Sequence, residues 1–454
     1  QVLPCPSLNL NYFLFSLLCM EYIIIGIFLV TYIFISLRRV SKIKIERPAI
    51  ALLGGIAMIV AGGLTASEAL NAIDLHTIAL LLGMMLIVGA LEISGFFNYV
   101  TVRMVRFAKS QSQLLAFTVL LTAILSALFL NDAVVLLLTP IIVKVTRTLR
   151  VDPVPYLVGE AMASNIGSVA TPIGNPQNAY IAMKSGIPFS HFVLFLLPVT
   201  IISLVIEIVV LKIVFRKELS KRIVQIRSYK HEKIPEFHIK KAFHIISMMK
   251  ILYAGEIKNR RLLAFTLVVF GCVFIGFLLS NANFPISIIA IAGGAIVFAI
   301  AQPLCRVSSK DILKNVDWGI LIFFAGLFML LRGVENTVLI KYIEDYFRAN
   351  PTLFNLSFVT AVISNLISNV PAVMLLTPVS GIISNPYAFY LTLAAISTLA
   401  GNATLLGAAA NIIVAEVALA WGAELKFKKF LIAGLPVTVI TILVATVYLI
   451  LLFP

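Results

Sequence analysis

Apolar runs of membrane-spanning length, set apart by basic stretches, leave this chain one environment, the lipid bilayer. Segments near 11–37, 49–66, 75–95, 155–182, 190–215, 262–281, 285–302, 317–334, 387–421 and 430–453 are each long enough to cross as helices. Only 12% of the residues are charged, about half the share in a soluble domain. The formal charge of +15 suggests nucleic acid until its distribution is read. All Lys and Arg except Lys184, Arg332, Lys341 and Arg348 lie in or beside six inter-helix segments, which begin at Arg38, Arg103, Lys144, Arg216, Arg306 and Lys426. The positive-inside bias puts those six in the cytoplasm and both termini outside a multi-pass protein of the plasma membrane. Nucleic acid is not expected as a partner. The first apolar run lacks a basic start and is followed by Arg38 and Arg39, so it reads as a retained helix rather than a signal peptide.

Cys5, Cys19, Cys272 and Cys305 form no close pair, and give neither a CxxC metal site nor a disulfide framework. His231, His238 and His244 fall in the basic stretch 216–261 at spacings that fit no usual zinc pattern. No cofactor and no metal beyond a bound Na⁺ is expected. Walker A, GxSxG and HExxH motifs are absent, which argues against an enzyme and against a self-contained ATP-driven pump. A separate ATPase subunit docking on 216–261 stays open as a partner.

The chain repeats itself. "NAIDLHTIALLLGMMLIVGALE" (71–92) aligns with "KNVDWGILIFFAGLFMLLRGVE" (314–335), which matches Asp74 to Asp317, Gly83 to Gly326 and Glu92 to Glu335. "SALFLNDAVVLLLTP" (126–140) aligns with "SNLISNVPAVMLLTP" (364–378), and "ATPIGNPQN" (170–178) with "ATLLGAAAN" (403–411). Three blocks in one order mark an internal duplication: a first repeat over 1–215, a basic cytoplasmic linker over 216–261, and a second repeat over 262–454.

Residues 110–143 hold a single charge, Asp132, in an apolar stretch flanked by bases. One continuous helix here would be about 51 Å long, against a hydrocarbon core of about 30 Å, and two crossings would need about 40 residues. Basic residues at both ends favour a re-entrant helical hairpin, with its turn near Asn131 and Asp132. Its counterpart spans about 352–385. Counted as no net crossing, each hairpin leaves five crossings per half, and an odd number inverts the second repeat. The expected fold is all-α and polytopic: two inverted repeats of about five transmembrane helices, each with a re-entrant hairpin and a broken helix. The breaks fall within 155–182 and 387–421. Inverted repeats with broken helices are a secondary-transporter pattern.

Irregular backbone at membrane depth survives only where protein or a water-filled cavity satisfies it. The hairpin turns and the breaks at "SNIGSVATPIGNPQN" (164–178) and "GNATLLGAAAN" (401–411) combine Gly and Pro with Asn, Ser and Thr oxygens. Such oxygens suit Na⁺, and half-helix N-termini suit an anion. An intramembrane carboxylate marks an ion or substrate path, so Asp132 is the first candidate for coupling to H⁺ or Na⁺. Glu160 and Glu416 follow. Asp74 and Asp317 sit at helix starts and read as caps. No Lys or Arg falls in these site segments, so cations or helix ends must neutralise a bound anion.

These motifs resemble the ion-transporter superfamily, which includes arsenite permeases, NhaD-type sodium/proton antiporters, and citrate and dicarboxylate carriers. "NDAVVLLLTP", "SNIGSVATPIGNPQN", "SNVPAVMLLTP" and "GNATLLGAAANIIVAE" carry the likeness, which covers roughly 45–420. It implies a scaffold of early helices, a transport part of hairpins and broken helices, an elevator motion and a homodimer. It also implies ion and substrate sites at Asn131, Asn165, Thr171, Gly174, Asn175 and Asn178, and at Asn369, Asn402, Thr404, Gly407 and Asn411. The dicarboxylate carriers have Ser-Asn-Thr at both hairpin turns. Here the turns read Leu130-Asn131-Asp132 and Ser368-Asn369-Val370, which is closer to the arsenite-permease branch and its anion permeases of unassigned substrate.

The expected function is secondary transport of a small anion or metalloid oxyacid, coupled to H⁺ or Na⁺. An Na⁺/H⁺ antiporter is the alternative, and a di- or tricarboxylate carrier a lesser one. "GNPQN" resembles the half-helix motif of water channels, but the second copy reads "GAAAN", which argues against a channel.

Overall fold

Helix ends follow the local chemistry of the chain. The structure, a computed structural model, describes residues 7–37, 45–105, 107–220, 257–281 and 283–453. His231, His238 and His244, and most of the 216–261 linker, lie outside the described residues. Thr65 and Glu68 form a reciprocal capping box: the Glu68 amide donates to Thr65 Oγ1 (3.2 Å), and the Thr65 amide donates to Glu68 Oε2 (2.8 Å). Asp74 caps Leu75–Ser94 by accepting from the His76 and Thr77 amides, and Asp317 caps Trp318–Val334 by accepting from the Ile320 amide. Gly95, at a φ of 87°, ends the former helix in the left-handed conformation.

Two helix pairs form one layer. Arg47–Val60 packs along Trp318–Val334, and Leu75–Ser94 along Ile286–Cys305. Small residues let these backbones meet, as membrane helices require when lipid removes the hydrophobic drive to associate. A Cβ on Gly294 would lie 2.7 Å from the Gly83 carbonyl oxygen. Ser7–Leu37 flanks the first pair, and Arg260–Leu278 the second.

The other layer holds the interrupted elements. Gln111–Leu128 and Asn131–Thr148 are separated only by Phe129 and Leu130. In the second half Leu353–Ile367 and Asn369–Leu376 meet at Ser368. That second arm is shorter than 352–385 suggests, because a 3₁₀ turn, Thr377–Gly381, takes over where Pro378 lacks an amide donor. The first broken helix consists of Val154–Ser168 and Pro176–Ser185, the second of Pro386–Ala400 and Ala409–Ala420. Each hairpin's first arm packs on the first piece of its own broken helix. Across the halves, Ala409–Ala420 packs on Asn131–Thr148. Phe189–Val214 and Phe427–Leu452 pack together behind them.

Among the described residues six helices are long and apolar enough to cross a membrane, or seven if Trp318–Val334 and Val338–Ala349, bent by 81°, count as one span. Val338–Ala349 falls outside every span read from the sequence. It is amphipathic: Ile340 and Phe347 are buried, while Lys341 and Arg348 are exposed.

Candidate functional site

Four helices begin at one place. Asn131–Thr148 and Asn369–Leu376 start there from the hairpin turns, and Pro176–Ser185 and Ala409–Ala420 start there from the breaks. Their first residues wall a cavity of about 270 Å³. A helix N-terminus carries about half a positive charge from its aligned peptide dipoles, so four converging starts make the cavity favourable for an anion or an oxygen acceptor. Among the described residues, four carboxylates, Glu46, Asp132, Asp317 and Glu416, and one guanidinium, Arg47, share the wall with them.

A carboxamide network ties these helix starts together. Asn165, fully buried, donates through Nδ2 to Asn402 Oδ1 (2.8 Å) and Asn411 Oδ1 (3.0 Å). Its own Oδ1 accepts from Asn131 Nδ2 at 3.3 Å. The Asn131 amide donates to the Gly174 carbonyl (2.9 Å), which fixes the first hairpin turn to the first break. Asn131 Oδ1 is buried with no hydrogen-bond partner among the described residues. In the second half Ser364 Oγ donates to Asn369 Oδ1 at 3.1 Å.

Both breaks are held by the same kind of bond. Asn178 Nδ2 donates to the carbonyls of Ser168 (3.0 Å) and Thr171 (3.2 Å). Asn411 Nδ2 donates to those of Gly401 (2.8 Å) and Thr404 (3.0 Å). One side chain thus satisfies two carbonyls that the interrupted helix leaves open, the cost that must be met at membrane depth. The loops fold tightly enough to require glycine. A Cβ on Gly174 would lie 2.5 Å from the Ser168 oxygen, and one on Gly407 would lie 2.6 Å from the Gly401 oxygen.

Of the residues singled out from the sequence, Asn131, Asp132, Asn165, Asn369 and Glu416 line the cavity. Asn402 reaches it only through Asn165. Thr171, Gly174, Asn175, Asn178, Thr404, Gly407 and Asn411 build the breaks behind it: Thr171 Oγ1 donates to the Ala127 carbonyl (2.5 Å), and Asn175 Oδ1 caps the Asn178 amide (2.8 Å). Glu160 is buried off the cavity wall, with Oε1 2.9 Å from Thr139 Oγ1.

The site segments themselves hold no Lys or Arg, but a basic side chain reaches the cavity from outside them. Arg47 lines it, brought there because Arg47–Val60 starts beside the start of Trp318–Val334. Asp317 also lines it while acting as a cap. Gln177 and Thr398 escaped the sequence reading as well; Gln177 Nε2 donates to Thr398 Oγ1 at 3.1 Å, joining the first break to the second broken helix.

Residues 32–384 match the family model described as citrate transporter. The chain belongs to the citrate transporter family. That family lies within the ion-transporter superfamily which the motifs resemble. A "46 kDa membrane protein" of Mycobacterium leprae is 31% identical, over 95% of this chain and 98% of the relative. The "Silicon efflux transporter LSI3" of Oryza sativa subsp. japonica is 29% identical, over 91% of this chain and 94% of its own length. The crystal structure of the Alcanivorax borkumensis YdaH transporter covers 87% of this chain and 88% of its own, with a TM-score of 0.51 and 17% identity, and shares the fold. As a member of this transporter family the chain is a multi-pass membrane carrier rather than an enzyme.

Proposed function

We propose that the protein is a secondary carrier of a small metalloid oxyacid, or of a comparably small anion, coupled to H⁺ or Na⁺. The observation that carries this reading is the convergence of four helix N-termini and Asp132 on one cavity of about 270 Å³. An uncharged oxyacid offers hydroxyl protons to carboxylate and carboxamide oxygens, and its oxygens accept from helix amides. Such a solute fits a wall of mixed sign. A tricarboxylate, the substrate in the family's description, would face Glu46, Asp132, Asp317 and Glu416 with Arg47 as the one basic group on the wall among the described residues. The rice relative's name, a silicon efflux transporter, supports an oxyacid.

In this reading Asp132 binds the coupling cation, and the hairpins and broken helices slide as an elevator along a scaffold that dimerises with a second copy. The excess of carboxylates over bases in the cavity favours one second reading, an Na⁺/H⁺ antiporter that carries no oxyacid. Flux into proteoliposomes decides between them, with arsenite, silicic acid, phosphate, sulfate and citrate offered under imposed H⁺ or Na⁺ gradients. Gradient-driven uptake of arsenite or silicic acid is expected. Na⁺-driven H⁺ movement that needs none of these solutes would replace the proposal with the antiporter, and uptake indifferent to both gradients would remove the coupling.

A further inference from the structure

A second cavity, of about 530 Å³, lies at the opposite end of Trp318–Val334. That helix is about 25 Å long. Asp317, Phe323 and Phe324 at its start belong to the first cavity, and Phe328, Leu331 and Arg332 toward its end belong to the second. The second cavity is also walled by Glu68, Lys184, Thr377 and Ser380. It is polar, and it has no part in the site described above.

Three separate elements line both cavities, each at positions about one helical turn apart. On Trp318–Val334 the step runs from Phe324 to Phe328. On Pro176–Ser185 it runs from Gln177 to Tyr180, and on Asn369–Leu376 from Val370 to Met374. One turn rises about 5.4 Å, so on each of these elements a single turn separates the residue at the first cavity from the residue at the second. Phe328, Tyr180 and Met374 stand on the second cavity's side of that step, and all three are buried. The Tyr180 and Phe328 rings meet with centroids 5.8 Å apart, inclined at 53°, and Phe324 backs Phe328 at 5.9 Å. The two rings come from different parts of the fold. Phe328 sits on the helix packed along Arg47–Val60, whereas Tyr180 and Met374 sit on a broken helix and a hairpin.

We infer that the two cavities are the two mouths of one translocation path, closed by a one-turn septum in which Tyr180 against Phe328 is the contact that must part for substrate to pass. The path for the oxyacid then runs along Trp318–Val334, from the Asp132 cavity to the cavity bearing Lys184 and Arg332. The identity of the solute rests on the carrier reading above; the septum itself does not.

The test uses the full-length protein with its own cysteines replaced, reconstituted in liposomes. Ile320→Cys probes the first cavity and Ser380→Cys the second, each with a membrane-impermeant maleimide applied from one side at a time. Labelling from opposite faces is expected, and labelling of both from one face would overturn the inference. In a second protein, Tyr180→Cys with Phe328→Cys, bridging by Hg²⁺ is expected to cut flux at least tenfold, with recovery on adding dithiothreitol. Failure of the pair to bridge, or undiminished flux once bridged, would equally overturn it. Labelling and bridging need no substrate, so a wild-type protein that moves no oxyacid would refute the substrate reading alone.

Discussion

Asn165→Asp removes both donors of the central carboxamide while keeping its size. The two bonds lost run to Asn402 Oδ1 at 2.8 Å and Asn411 Oδ1 at 3.0 Å. Interhelical hydrogen bonds in membranes contribute about 0.6 kcal/mol on average and up to about 1.7. The substitution also turns two acceptors toward a third. Asn411 cannot relieve this by flipping its amide, because its Nδ2 already satisfies the Gly401 and Thr404 carbonyls. Bond loss and acceptor conflict together give about 2–4 kcal/mol of destabilisation. The assay is thermal unfolding of the detergent-purified carrier, followed by intrinsic fluorescence, with oxyacid flux measured in parallel. A double-mutant cycle with Asn402→Leu sharpens it: the pair costs less than the sum of the singles by about 0.5–1.5 kcal/mol if the side chains act on each other. An unfolding midpoint equal to wild type, or strictly additive costs, would refute the network as the element that joins the two halves.

Ser368 holds the second hairpin turn at φ 79°, ψ 159°, a region that strains an L-residue by about 1–3 kcal/mol. Ser368→Gly is therefore expected to raise thermal stability by about 1 kcal/mol, and a lower midpoint would contradict the strain. Gly174→Ala places a methyl 2.5 Å from the Ser168 oxygen and 2.8 Å from the Ser126 oxygen. The break must shift off the Asn131 amide, so about 3 kcal/mol or outright loss of folded carrier follows, as read by size-exclusion chromatography. Lys429→Ala removes a 3.3 Å pair with Glu218 on the exposed face. Its effect on stability is expected to stay within about 1 kcal/mol, read as a nearly unchanged unfolding midpoint.

Much of the architecture could be read from the chain because interrupted membrane helices need conspicuous residues. Pro176 and Pro386 start helices, Gly174 and Gly407 allow backbone to meet backbone, and Asn178 and Asn411 satisfy the opened carbonyls. Each leaves a mark in an otherwise apolar run. Asp132 was conspicuous for the same reason, as a lone charge where charge is costly. Arg47 and Asp317 were harder to find. One closes a basic loop and the other begins a helix, and both patterns have sufficient local explanations; only the side-by-side starts of Arg47–Val60 and Trp318–Val334 carry them to the cavity. Thr398 sits inside an apolar helix, and nothing local signals that Gln177 bonds to it. Val338–Ala349 was missed because a short amphipathic helix lacks the apolar length by which spans are recognised. Its charged face, with Lys341 and Arg348, resembles a loop in composition.

Asp132, at the start of Asn131–Thr148 and on the cavity wall, is the residue proposed to carry the coupling ion. The most direct measurement compares wild type with Asp132→Asn in proteoliposomes, in two modes: exchange of labelled oxyacid at equal concentrations, and net uptake driven by an H⁺ or Na⁺ gradient. The variant is expected to keep exchange within a fewfold of wild type and to lose gradient-driven accumulation. Accumulation by Asp132→Asn equal to wild type, under the same gradient, would contradict it.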